Sequence, residues 1–169
     1  KSSIGKLINC NNATYVGSGT GIADGILMDG SLVDFNLRDD VKRSWELFML
    51  DGNSVESHLS SKGMIDQWNL SSQKQVGSLD QLILNNNSHQ IFQKAANAFS
   101  FLIKDRVKFF SRNGSNVEKI IIGQRLGEFL SYEKNDIKLM FESKTDIPIF
   151  YASDRRTACL GAVWKKICS

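Results

Sequence analysis

The chain has 169 residues, 41% of them hydrophobic and 23% charged, a composition that excludes a disordered or fibrous protein and suits one globular domain with a sizeable core. Its 21 basic and 18 acidic residues leave a net charge of +3; the basic residues are scattered, which argues against the basic stripe with interleaved aromatics that a nucleic-acid groove needs. No apolar run reaches transmembrane length and no signal-peptide pattern opens the chain, so the expected setting is cytoplasmic, with no membrane and no nucleic acid among its partners.

Cys10, Cys159 and Cys168 are odd in number and far apart, without a Cys-x-x-Cys or a Cys/His cluster. They suggest reduced thiols rather than a disulfide framework or a zinc site. The first residue is Lys1, and the expectation is that the sequence is a piece of a longer protein. Asn-x-Ser/Thr occurs at Asn12, Asn69, Asn86 and Asn113, which in an Asn-rich chain without a secretion signal reads as coincidence.

In chain order, Ala13 to Phe35 holds short β-capable runs that predict strands near 13–17, 22–28 and 31–35, the last pair turning at Met28-Asp29-Gly30-Ser31. Gly17, Gly19, Gly21 and Gly25 fall in or between these strands, where glycine weakens pairing and marks a bulge or the close approach of a ligand. Between Leu37 and Leu70 a charged region containing Trp45, Phe48, Met49 and Trp68 predicts short helices and loops covering one end of the sheet. A helix or turn is expected around Leu79 to Leu84, and Asn85-Asn86-Asn87-Ser88 reads as a loop ending in a helix cap.

From His89 to about Ser111, Ile91, Ala95, Phe99, Leu102 and Phe110 recur at helical spacing beside Phe92, Ala96, Ile103 and Val107, with Lys94, Lys104 and Lys108 on the other face. This helix is expected to pack on the sheet, with Phe92, Phe99, Phe109 and Phe110 in the core. Val117 to Ile122 is a β-branched run that reads as a buried strand, ended by Gly123 where open α/β sheets place ligands, beyond a strand's carboxyl end. Leu126 to Phe141 is predicted helical, Ile147 to Tyr151 a second buried strand, and Ala158 to Ile167 a closing helix packed through Gly161 and Ala162. The fold class is therefore α/β: antiparallel hairpin strands first, parallel strands later, in one mixed sheet with helices packed on it.

Ser18-Gly19-Thr20-Gly21-Ile22 places backbone amides and a hydroxyl where no large Cβ blocks a phosphate. By itself such a stretch is more often a structural hairpin than a phosphate site. It is neither a P-loop, lacking Gly-Lys-Ser/Thr, nor a Gly-x-Gly-x-x-Gly that opens a helix.

Gly19-Thr20-Gly21-Ile22 followed by Gly25-Ile26-Leu27-Met28-Asp29-Gly30-Ser31-Leu32 resembles the central G-T-G-I-x-x-G-I-x-x-x-G-x-L stretch of the ROK family of sugar kinases. Glu56-Ser57-His58-Leu59-Ser60 resembles that family's L-E-x-x-x-S segment, Ile120-Ile121-Ile122-Gly123 its I-V-I-G-G strand end, and Leu160-Gly161-Ala162-Val163 its closing L-G-A-A helix. The order and spacing match the C-terminal lobe over nearly the whole chain. The resemblance implies a ribonuclease-H-like lobe of the actin, sugar kinase and heat-shock chaperone ATPase superfamily, a single unit over residues 1–169 whose N-terminal lobe lies outside this sequence. It implies ATP with Mg²⁺ as cofactors, Gly19, Thr20 and Gly21 at the β- and γ-phosphates, and Gly123 and Gln124 beside the adenosine. The implied partners are a small-molecule substrate, a sugar by preference, the missing lobe in cis or in trans, and a second copy in a homodimer.

The pattern also breaks. The family's Asp-x-Gly-Gly-Thr phosphate loop and the Asn-Asp at the lobe junction, whose aspartate is the base, are not found here, so no catalytic residue is expected in this chain and it should be nearly inactive alone. The family's E-x-G-H sugar motif falls at Trp45-Glu46-Leu47-Phe48-Met49: Glu46 matches as a substrate contact, although a Glu flanked by apolar residues is more often a surface carboxylate, and Met49 replaces the histidine. The zinc cysteines have no counterpart in the short, thiol-free stretch from Leu50 to Ser54, and no metal ligand is expected. Glu56 is expected at a solvated helix edge, His58 and His89 on helix surfaces or at caps, Asp24 and the pair Asp39-Asp40 in solvent, and Arg155-Arg156 on a surface. Three functions fit: half of an ATP-dependent sugar kinase, a non-catalytic nucleotide- or sugar-sensing protein, or a structural lobe that binds a partner through its cleft wall.

Overall fold

A computed structural model describes residues 9–132 and 136–152. Their core is a five-stranded sheet in the order β3-β2-β1-β4-β5, with β1 at Ala13–Ser18, β2 at Ile22–Met28, β3 at Ser31–Leu32, β4 at Lys119–Gly123 and β5 at Ile149–Tyr151. The first three strands form an antiparallel meander in which Ala13 faces Leu27 and Ser18 faces Ile22. β4 joins β1 in parallel, Ala13 opposite Lys119 and Gly17 opposite Gly123, and β5 joins β4 in parallel. This is the mixed, ribonuclease-H-like sheet that the sequence predicts.

The hairpin between β2 and β3 turns at Asp29 and Gly30, with φ of 50° and 77°. Two successive positive φ values are what a tight hairpin turn demands, and Asp-Gly is the pair that tolerates them best. Only Ser31 and Leu32 continue as strand; Asp34 then caps a short 3-10 turn, Phe35–Leu37, through a bond from the Asn36 amide, so the third strand is shorter than the apolar run suggests.

Three short helices follow: α1 at Val55–Leu59, α2 at Ser61–Ser71 and α3 at Leu79–Ile83. Each starts where a serine hydroxyl takes an orphan amide: Ser54 from Ser57, Ser60 from Gly63 and Ser78 from Gln81. Ser60 separates α1 from α2 because it holds an extended backbone, φ −69° and ψ 145°. The long helix α4 runs over Ser88–Arg112, and its Asn87 cap makes no side-chain bond.

The buried face of α4, with Phe92, Phe99 and Leu102 fully enclosed, joins Val16, Ile22, Ile120 and Ile122 of the sheet in one apolar cluster. Phe109 and Phe110 extend it in a second cluster with Ile26. Phe92 stacks on Phe129 at 5.4 Å, and Phe99 meets Phe141 at 5.5 Å, so the aromatic stripe is core, as expected.

The helix expected from Leu126 to Phe141 is two helices, α5 at Gln124–Leu130 and α6 at Asp136–Glu142. Helix α5 begins two residues earlier than its apolar pattern because Gly123 both ends the strand and occupies the cap position. Ser131 then closes it with an amide bond to Glu128. The expected C-terminal helix with Gly161 and Ala162, Cys159, Cys168 and Arg155-Arg156 lie outside the described residues. Among the described residues no helix is long and apolar enough to cross a membrane.

Candidate functional site

The carboxyl ends of the parallel strands β1 and β4 finish side by side: Gly17 pairs with Gly123, and Ser18 bridges to Gln124. Two loops therefore emerge together at this edge, the hairpin loop 19–21 and the turn from β4 into α5. The Gly19 amide donates to Gly21 O at 2.9 Å, which pinches the hairpin loop, and Gly19 O accepts from the Lys62 amide at 3.0 Å. Thr20 is exposed at the tip. Among the described residues the Thr20 and Gly21 amides donate to no protein acceptor.

The junction of α1 and α2 clasps this loop from the side. Ser18 Oγ donates to Leu59 O at 2.9 Å, and Ser61 Oγ donates to Ser18 O at 3.2 Å. Glu56 is not the solvated helix edge its sequence suggests: its carboxylate accepts from the Ile22 amide at 2.9 Å. A Cβ on Gly21 would lie 2.9 Å from Glu56 Oε2, so glycine at 21 is what lets the carboxylate reach the strand.

Gln124 is exposed and holds a positive φ of 59°, an uncommon conformation for a residue with a Cβ and a form of local strain that collects at binding sites. Its side chain lies over the hairpin: a Cβ on Gly19 would sit 2.5 Å from Gln124 Oε1, and one on Gly17 would sit 3.0 Å from Gln124 Nε2. A Cβ on Gly123 would collide with the Tyr15 hydroxyl, so it is the Tyr15 ring that calls for glycine at 123. The predicted phosphate residues Gly19, Thr20 and Gly21 and the predicted adenosine residues Gly123 and Gln124 are thus contiguous. Beside them, a cleft of about 340 Å³ is lined by Ser61, Ser78, Asp80, Arg125, Glu128 and Tyr132 among others.

Glu46 lies apart from this edge, at the end of a 3-10 turn, Ser44–Glu46, that packs against α1 and β2. Its side chain is 43% exposed, and one oxygen accepts from the Arg43 amide at 2.7 Å. Met49, in the position of the family's histidine, closes a small loop with Asn53 through backbone bonds.

Two more expectations fail here. His58 is not on a helix surface: it is 5% exposed, with Nε2 2.7 Å from Asp51 Oδ2 and Nδ1 3.3 Å from Gln67 Oε1. It staples the loop before α1, and the Asn53 amide and His58 hold the Asp51 carboxyl below the usual carboxylate range. Asp24 is not solvated either. Its side chain is 3% exposed and pairs with the fully buried Arg106 at 3.1 Å, and its Oδ2 also accepts from the Ser44 amide at 2.6 Å. Burial pushes the Asp24 carboxyl above the ordinary carboxylate range, while Arg106 and Ser44 pull against that rise. Among the described residues no group of three His, Cys, Asp or Glu could hold a metal ion.

The sheet order and the helices packed on it define a mixed α/β fold of the ribonuclease-H-like kind, which solved sugar-kinase structures share. The solved structures it matches include a Listeria monocytogenes protein provisionally described as an N-acetylmannosamine kinase, at 17% identity and a TM-score of 0.70, covering 95% of this chain and 59% of that one. A ROK-family glucokinase from Streptomyces griseus, solved with glucose and AMPPNP, matches at 12% identity and a TM-score of 0.55, over 84% of this chain and 55% of its own. A ROK-family transcriptional regulator, a homolog of the E. coli MLC protein, matches at 16% identity and 0.54, over 85% and 42%. The shared feature is the fold, and the chain spans between 42% and 59% of the length of these structures. No protein-family model matches the chain, and no curated protein matches its sequence.

Proposed function

We propose that the chain is the ATP-binding C-terminal lobe of a small-molecule kinase of the ROK type, acting on a sugar, whose catalytic aspartate is supplied by a second lobe in cis or in trans. The observation that carries this reading is the contiguity of the 19–21 loop with Gln124 at the carboxyl ends of two parallel strands, the place where α/β sheets take ligands. Gly19 and Gly21 form a cradle that a Cβ would fill, and the Thr20 and Gly21 amides and the Thr20 hydroxyl are its donors for the β- and γ-phosphates. The adenosine belongs beside Gly123 and Gln124, where the chain runs on into Arg125 of the adjoining cleft. Mg²⁺ arrives on the phosphates and neutralises charge during transfer; the Glu56 carboxylate beside Gly21 favours that cation at the cradle. Glu46 is the acceptor contact on this chain. The setting is cytoplasmic, and a homodimer fits the reading.

The reading is tested with the full-length protein, Mg·ATP and three acceptors chosen from the matched structures and their chemistry: glucose, N-acetylglucosamine and N-acetylmannosamine. At least one is expected to raise ADP formation well above the rate in water. Tight binding of Mg·AMPPNP with no stimulation by any sugar favours a non-catalytic sensor, a reading supported by Met49 where the family carries histidine and by the matching regulator fold. Failure to bind Mg·AMPPNP contradicts the kinase and a nucleotide sensor alike, and leaves a sugar sensor to be read from binding of the three sugars.

A further inference from the structure

The most unusual polar group in the molecule lies away from the hairpin loop. Arg106 is fully buried in the middle of α4's apolar face, where its guanidinium meets Asp24 Oδ2 at 3.1 Å and Asp105 Oδ2 at 2.7 Å. Asp24 Oδ2 also takes the Ser44 amide at 2.6 Å, and Ser44 is itself fully buried. The cluster is incompletely satisfied: Asp24 Oδ1, Ser44 Oγ and Arg106 Nε are buried and find no hydrogen-bond partner among the described residues. Buried charge held with missing bonds is expensive, and apolar residues of similar volume generally fill such a site at no loss of stability. A role confined to core filling does not explain it.

The partners explain it better. Asp24 belongs to β2, the strand that begins where the 19–21 loop ends, and Ser44 opens the turn that carries Glu46. The same turn is held on its outer side by Arg43, whose guanidinium lies 5.6 Å from the Phe35 ring and 5.5 Å from the Trp45 ring, while Arg106 sits 5.7 Å from Phe35. One strand thus carries the candidate phosphate loop at its start and, within the next few residues, the anchor of the candidate acceptor turn. We infer that Asp24 and Arg106 are positioning residues: they fix the Ser44–Glu46 turn to β2 and so set Glu46 in register with the phosphate loop. The inference rests on the reading of Glu46 as the acceptor contact.

The test uses the full-length protein and two variants that act differently on the link. Asp24→Leu/Arg106→Met replaces the pair by apolar groups, and Ser44→Pro keeps the pair but removes the amide that Asp24 holds, together with the Ser44 hydroxyl, at a first-turn position where proline is tolerated. In both, hydrogen exchange at the Glu46 amide, which bonds Arg43 O, is expected to quicken by about tenfold or more, the weight of one charge-assisted bond. The Ile22 amide, held by Glu56, is expected to stay as protected as before. The acceptor KM, read with whichever of the three sugars is turned over, is expected to rise by about tenfold with the affinity for Mg·AMPPNP unchanged, the signature of a lost positioning contact rather than a damaged fold. Unaltered Glu46 exchange in the variants overturns the inference, with or without a sugar substrate. A wild-type protein that binds Mg·AMPPNP but none of the sugars overturns the acceptor role of Glu46 alone, and the exchange data then decide the anchor separately.

Discussion

Arg106→Met is expected to lower the stability of the fold by about 3–5 kcal/mol, because it removes one partner of a buried ion pair and leaves the other without compensation. The loss should depend on pH in a definite direction. Asp24 is already pushed above the ordinary carboxylate range by burial, with Arg106 opposing the rise; without Arg106 it rises further. A carboxyl whose folded pKa exceeds its unfolded value of about 3.9 binds more protons in the folded state, so stability falls as pH rises from that value through the folded pKa and is flat above it. The deficit of Arg106→Met should therefore be smallest in mild acid and reach its full size at higher pH. Urea unfolding at a series of pH values measures it, and a deficit that is equal at every pH, or largest in acid, contradicts the pairing.

Gly19→Val is expected to leave the fold nearly intact and to weaken Mg·AMPPNP binding by about a hundredfold, close to 2.8 kcal/mol. The new Cβ would lie 2.5 Å from Gln124 Oε1, and that atom is the far end of a flexible, exposed side chain, so the collision is relieved by swinging Gln124 away rather than by moving a strand. The cost falls on the cradle. The valine methyl groups take the space between the loop and Gln124, and the loop, pinched by the bond from Gly19 N to Gly21 O, cannot widen without losing it. One proposed charge-assisted bond from a loop amide to phosphate, worth about 1.5–3 kcal/mol, accounts for a loss of this size. Comparison of melting midpoints with calorimetric affinities separates the two effects; a lowered midpoint with unchanged affinity would place the nucleotide elsewhere.

Much of the fold could be read from pattern. The β-branched run before Gly123 and the glycine-studded hairpin gave the strands, and the 3.6-residue apolar rhythm gave α4 almost to its ends. The boundaries that failed are those set by single capping events: Gly123 starting α5 early, and the Asp34 cap cutting β3 to two residues. The site was only half legible. Glycines at 19, 21 and 123 and the residue at 124 stand out in sequence, whereas the helices that clasp them, through Ser61 and Glu56, could be recognised only once tertiary contacts existed.

The Asp24–Arg106 pair left a signal that went unused. Ile22, Asp24 and Ile26 occupy the inward alternation of β2, and Leu102, Ile103, Arg106 and Phe110 lie on one stripe of α4. Each pattern carries a single charged interruption, of opposite sign, and two such breaks in neighbouring elements are best reconciled by pairing them. His58 gave no comparable hint, because its partner Asp51 lies in a loop of no fixed period.

The most direct measurement is a calorimetric titration of Mg·AMPPNP against the full-length protein and its Thr20→Val and Arg125→Glu variants, one altering the loop tip and the other the cleft. Binding at micromolar or tighter affinity that both substitutions weaken by tenfold or more is the expected outcome, since one removes the proposed phosphate donor and the other reverses the charge beside the proposed adenosine site. Undiminished binding in both variants would contradict a nucleotide lying along the 19–21 loop and the β4–α5 turn.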